Sequence, residues 1–177
     1  KSFKGCLKQV THLLPFGPHL LAIDKENILR VWEIRNQELV LSLPFNADSF
    51  QMTAILHPAT YLNKVLIGSF KGQLQLWNIR KQSCVFTFDG WGHEVTRLAQ
   101  APAIDVVAIG LSNGHIYIHN LKFDQVIMKF NQEWGAVLGL TFRGDGNPHL
   151  VSSSPAGHIA IWNLEDKKLE SQMRKVH

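Results

Sequence analysis

Short apolar runs separated by polar turns fill this chain, and they recur with a period. "HLLAI", "KVLIGS", "DVVAIGLS" and "HLVSSS" are continuous apolar runs. Each leads into an alternating segment: "ENILRVWEI" (26–34), "KGQLQLWNI" (71–79), "NGHIYIHNL" (113–121) and "AGHIAIWNL" (156–164). The second residue of each segment is Asn27, Gly72, Gly114 or Gly157. These residue types accept the positive φ that a tight hairpin turn demands. The pattern predicts four β-hairpins. Their second strands end on Trp32, Trp77, His119 and Trp162, spaced by 45, 42 and 43 residues.

Polar turns follow each hairpin ("RNQE", "RKQS", "KFDQ", "EDKK"), and then further strands: "LVLSLPF", "CVFTF", "VIMKF" and "KLESQM". Another strand opens each unit: "VTHLLPF", "QMTAILH", "VTRLAQA" and "VLGLTFR". No segment shows the period of an amphipathic helix. Units of about 40–45 residues, four strands each, with a Trp closing the third, predict the blades of a β-propeller. The fold expected is all-β: about four blades of four antiparallel strands, over approximately 5–45, 50–89, 94–131 and 136–174. Four copies in register argue against chance hairpins in a sandwich.

Composition adds limits. The 177 residues are 45% hydrophobic and 18% charged, ordinary for a globular chain and unlike a disordered one. The net charge of +4 is compatible with a polyanionic partner without singling one out. Cys6 and Cys84 form no motif and predict no disulfide framework. No apolar run approaches the ~18–20 residues of a membrane span. The chain opens on Lys1 rather than Met, and His177 falls where a further unit would begin, which suits an arc of a larger ring.

The units resemble WD repeats in degenerate form. The Trp-Asp pair of that family reads Trp32-Glu33, Trp77-Asn78, His119-Asn120 and Trp162-Asn163, and its Gly-His reads Gly90-Trp91. The family hydrogen-bonds a turn Asp, a Ser/Thr, that His and the Trp into one set. Here the turn position holds Glu26, Lys71, Asn113 and Ala156, so no complete set is expected. "ILHPATYLNKVLIGS" (55–69), "QAPAIDVVAIGL" (100–111), "IHNLKFD" (118–124) and "LEDKKLESQMR" (164–174) are similar to the N-terminal propeller of the tandem-propeller WD-repeat subunits of the small-subunit processome. That resemblance implies a non-enzymatic scaffold in the nucleolus, within the nucleus, supporting precursor ribosomal RNA processing, inside a larger, seven-bladed ring. It implies other WD-repeat subunits as partners, with precursor ribosomal RNA or small nucleolar RNA a further one. The alternative is a peptide-binding WD adaptor in another nuclear or cytoplasmic complex. No membrane, small-molecule substrate or cofactor is expected.

Candidate chemistry is sparse. His115-x-x-x-His119 has the spacing of metal ligands on a helix. On a strand the two Cα atoms stand ~13 Å apart, too far for one zinc. His119 is better read as a substituted blade Trp. No nucleophile elbow, phosphate loop or paired-carboxylate motif appears, so no catalytic residue is expected. The loops remain. Lys25, Phe70, Lys71, Trp91, His93 and Trp134 are candidate partner contacts, since aromatic anchors dominate interface energies. For Trp91 and Trp134 the favoured reading is that they cover seams between blades, because large aromatics are mostly buried. Arg35, Arg80, Lys81, Lys122, Lys167 and Lys168, with Lys175 beyond them, are candidate RNA-phosphate contacts in the turns after the Trp strands.

Overall fold

The computed structural model describes residues 2–5 and 8–174, so Cys6, Lys175 and His177 lie outside the described residues. Four antiparallel sheets of four strands follow one another along the chain. The first holds β1 (Val10–Phe16), β2 (His19–Asp24), β3 (Ile28–Glu33) and β4 (Leu39–Pro44). One helical turn, α1 (Ala47–Phe50), leads to β5 (Met52–Leu56), β6 (Lys64–Ser69), β7 (Leu74–Asn78) and β8 (Ser83–Phe88). The third holds β9 (Val95–Gln100), β10 (Val106–Leu111), β11 (His115–Asn120) and β12 (Gln125–Asn131). The fourth holds β13 (Gly139–Phe142), β14 (His149–Ser153), β15 (Ile159–Asn163) and β16 (Lys168–Met173). In each sheet the strands lie in chain order, as propeller blades do. The helical turn is the one element the periodicity missed. Asn46 caps it by accepting the Asp48 N–H at 2.9 Å, and it buries Phe50.

The repeat survives in backbone detail. The hairpin residues Asn27, Gly72, Gly114 and Gly157 have φ of 62°, 87°, 87° and 82°. The turn after each third strand also holds one left-handed residue: Gln37, Gln82, Asp124 and Lys167. Pairing with the fourth strand slips by a residue immediately before Trp32, Trp77, His119 and Trp162. Gly114 serves a second purpose. A Cβ there would collide with the carbonyl oxygen of Gln132, whose N–H donates to the Gly114 carbonyl at 2.9 Å. The hairpin thus tucks beneath the loop that leads to the next blade.

The apolar core lies in the seams between blades. One cluster joins Leu29 and Val31 to Val65 and Ile67, a second joins Leu66 and Leu74 to Val107 and Ile109, and a third joins Ile116 and Ile118 to Leu150 and Trp162. Burying each such side chain contributes roughly 1.5–3 kcal/mol. In the first three blades, a Phe near the end of the fourth strand meets the aromatic of the next blade. Phe45 lies 4.9 Å from Trp77, Phe88 5.7 Å from His119, and Phe130 5.1 Å from Trp162, ring centre to ring centre. Phe3 stands 6.2 Å from Trp32 in the corresponding place, and the Lys4 carbonyl accepts the Trp32 indole N–H at 2.7 Å. Gly110 is required by this stacking: a Cβ on it would come within 2.6 Å of Val137 in the next blade.

The first strands of the blades adjoin one another, so they form the inner side of the arc. Thr53 Oγ1 donates to the Val95 carbonyl across the seam at 2.7 Å. Thr11, Thr53 and Thr96 repeat one contact, each donating to a carbonyl of the second strand in its own sheet. Asp24 forms an ion pair with Arg30 and accepts the Glu26 and Ile28 N–H groups, which offsets the cost of burying the charges.

Candidate functional site

Hairpin turns and blade-connecting loops meet on one face of the arc. Phe70 N–H donates to Gln51 O at 2.9 Å, Lys71 Nζ to Asp48 O at 2.5 Å, and Trp91 N–H to Gly72 O at 3.2 Å. This face carries the loop residues singled out from the sequence. Phe70 is 55% exposed, and Lys25, Lys71 and His93 are exposed. Trp91 and Trp134 are half-buried. Trp91 stacks on Tyr117 at 5.1 Å, and Trp134 tilts against His158 at 5.3 Å. Each therefore leans from its connecting loop onto the following blade.

The rim cations sit on the opposite face, in the turns from third to fourth strand. Arg35, Arg80, Lys81, Lys122, Lys167 and Lys168 are all exposed. Acidic groups interleave with them. Lys168 pairs with Asp166 at 3.1 Å, and Glu38, Asp124 and Glu165 occupy the same turns. Lys122 Nζ lies 5.5 Å from the centre of the Phe123 ring.

A groove of about 720 Å³ runs along the inner side, between the first strands. Thr11, Thr53 and Thr96 line it with hydroxyls, and His12, Lys25 and Arg97 with nitrogens. Burial holds the His12 pKa below its ordinary 6.5, and the nearby Arg97 lowers it further, against a backbone contact at Thr53 that raises it. On the opposite face an apolar cleft of about 560 Å³ opens between the third and fourth blades, bordered by Ile118, Ile127, Met128 and Phe142. The corresponding seam between the second and third blades holds Tyr61. Burial, then its hydrogen bond to Asp105, pushes that phenol up to about 12.

The two histidines of His115-x-x-x-His119 have separate settings. His119 is buried at 3% exposure, and its Nε2 meets Asp124 at 3.1 Å. His115 stands at the loop face beside Asn113. Among the described residues, no three His, Cys, Asp or Glu side chains converge as metal ligands. No helix of the described residues is long and apolar enough to cross a membrane.

One relay escaped the sequence. Trp162 Nε1 donates to Ser152 Oγ at 2.9 Å, Ser152 Oγ donates to Gln132 Oε1 at 2.8 Å, and Gln132 Nε2 donates to the Gly135 and Ala136 carbonyls. This is a three-member version of the WD set, with Gln132 in the place of the family's His and no turn Asp. The available signal was spacing: Gln132 follows Trp91 by 41 residues, close to the period.

The whole chain, residues 1–177, matches the family described as the WDR36/Utp21 first beta-propeller. It is 50% identical over 176 residues to WD repeat-containing protein 36 of Homo sapiens, covering 99% of this chain and 20% of that protein. It is 39% identical over 175 residues to the U3 small nucleolar RNA-associated protein 21 homolog of Schizosaccharomyces pombe, covering 95% and 19%. The Saccharomyces cerevisiae U3 small nucleolar RNA-associated protein 21 is 24% identical, over 95% and 18%. The chain thus spans about a fifth of the length of the curated relatives it matches. A crystal structure of the computationally designed Ika8 protein superposes with a TM-score of 0.76, over 97% of this chain and 51% of that one, at 22% identity. That last likeness speaks for the fold alone.

Proposed function

The chain belongs to the WDR36/Utp21 first β-propeller family, and from that premise we propose that it is a non-enzymatic scaffold in the biogenesis of the small ribosomal subunit. The observation that carries this is the match over all 177 residues to a family whose yeast members are named for association with U3 small nucleolar RNA. The setting that follows is the nucleolus, and the partners are other WD-repeat subunits of the processome and its RNA. The fold suits that work. Its blades hold a rigid array of loops, and loops on rigid scaffolds are where binding concentrates.

The loop face is the surface we assign to protein partners. Phe70 offers a 55% exposed aromatic beside Lys71, and Lys25 stands on the neighbouring hairpin. Aromatic side chains are enriched among interface anchors. The rim cations lie among acidic neighbours, which weakens them as a phosphate track.

Depletion of the protein tests the reading. Mature small-subunit ribosomal RNA should fall and its precursor accumulate, with both restored by re-expression. Unchanged ribosomal RNA on complete depletion would overturn the scaffold role.

A further inference from the structure

On the loop face, the third blade gathers aromatic and cationic groups that the scaffold role leaves unused. β11 alternates. Ile116 and Ile118 are buried on one side, and His115, Tyr117 and His119 share the other. Trp91 lies on Tyr117 with ring centres 5.1 Å apart and 29° between the planes. Its edge meets His119 at 5.6 Å, which holds the indole in place. Lys129 pairs with Tyr117 across the ladder, and its ammonium sits 5.4 Å from the Tyr117 ring centre. His115 stands edge-on to the same ring at 6.2 Å.

Asn113 sets the state of His115. Its Oδ1 accepts the His115 backbone N–H at 3.1 Å, and its Nδ2 lies 3.1 Å from His115 Nδ1. With the oxygen so engaged, the amide nitrogen donates to Nδ1. The neutral ring then keeps its proton on Nε2, leaving that nitrogen as a donor. His93 and Lys129 are exposed. Lys129 has no carboxylate within ion-pair distance among the described residues. Burial lowers the His115 pKa most, and the charges of Lys129 and His93 lower it further. The Lys129 ammonium and the His115 Nε2–H donor therefore stand beside a stacked aromatic pair, where a phosphate can accept from both.

We propose that Trp91, Tyr117, His115 and Lys129, with His93 on the Trp91 loop, form a binding site for single-stranded RNA, which takes a base against the Trp91–Tyr117 stack and a phosphate on the Lys129 and His115 nitrogens. Single strands are held in this way, by aromatic faces that accept any base and by cations that track the backbone. Bases inside a duplex are already stacked and offer no free face. An acidic peptide would answer the cations but leave the aromatic planes unused, so the stack favours the nucleotide. The proposal rests on the reading that this chain works in an RNA-containing particle, and it places the contact on the loop face rather than on the basic rim.

The test is fluorescence anisotropy with the full chain and a labelled oligouridine of about ten nucleotides, within the usual site size. Lys129→Glu should weaken binding roughly tenfold and lower the salt slope by about one. His93→Ala should act in the same direction. Trp91→Phe, which keeps a ring against Tyr117, should weaken it less than Lys129→Glu. Lys64→Glu, at the start of β6 on the opposite face, should leave binding unchanged, and circular dichroism should show every variant folded. Ultraviolet crosslinks should map to residues 89–94 or 113–119. Binding that survives Lys129→Glu combined with His93→Ala would overturn the site, as would a duplex binding as tightly as the single strand. Poly-glutamate bound with the same Lys129 dependence, in place of RNA, would make this a peptide site and overturn the proposal. None of these failures would restore ribosomal RNA in depleted cells, so the scaffold role and this site fail separately.

Discussion

At residue scale, the most informative position is His119, where the other three blades place Trp32, Trp77 and Trp162. The smaller ring fits because Phe88 and Trp91 close on it edge-on, at 5.7 and 5.6 Å. Its Nε2 meets Asp124, while its buried Nδ1 has no hydrogen-bond partner. Burial lowers its pKa below the ordinary 6.5, and Asp124 opposes this in part. Folding therefore favours the neutral ring, while the unfolded chain binds the proton. The sign follows: stability is complete above about pH 6.5 and is lost as pH falls from there through the lower folded-state value. His12 and His115 are lowered as well and add to the same loss. Urea unfolding at about pH 7.5 and about pH 5 should show the wild type losing stability, and His119→Phe losing less of it. An equal loss in both proteins would mean that His119 takes no part.

At the scale of elements, the outer strands differ in how they guard their open edges. β4 ends in Pro44, β12 carries Lys129, and β16 carries Lys168 and Glu170. β8, "SCVFTF", has neither charge nor proline, and it exposes Val85 at 49% and Phe86 at 46%. An uncharged apolar edge is a template for pairing with another chain. Val85→Lys should lengthen the aggregation lag at elevated temperature. As a surface change it should leave the unfolding free energy within about 0.5 kcal/mol. Light scattering and urea melts check the two halves, and an unchanged lag would clear β8 of the role. The strands themselves were legible because alternation, Gly or Asn turns and Trp-closed phrases all recur. α1 was not, because four residues are too few to show a helical period. Gln132 was hidden for another reason: a glutamine doing a histidine's work keeps the hydrogen bond and changes the letter.

At the scale of the whole molecule, blade number and order could be read from spacing, and the loop face followed from knowing which turns share an end. The cluster around Tyr117 could not, because it joins a connecting loop, a third strand and a fourth strand through the sheet ladder and a seam. Seams also govern stability. The core consists of three clusters, each shared by two neighbouring blades. Such a stack behaves nearly as a one-dimensional array, in which an inner blade gains from two interfaces and an end blade from fewer. In the 177-residue chain taken by itself, the second and third sheets are inner. All six residues of β10 are buried, and five of the six in β6. The first sheet is covered in part by Phe3 and Lys4 on Trp32. The fourth has no such cover among the described residues. Met173, at the end of β16 where the other blades seat a Phe against their neighbour, is 56% exposed, and all six residues of β16 are exposed. Opening free energies measured by native-state hydrogen exchange should therefore rise from the ends toward the middle. Amides of β15 and β16 should exchange first, those of the first sheet next, and those of β6 and β10 last. Equal protection across all four sheets would show instead that the arc opens as one unit, and would refute the nearest-neighbour account of what holds it together.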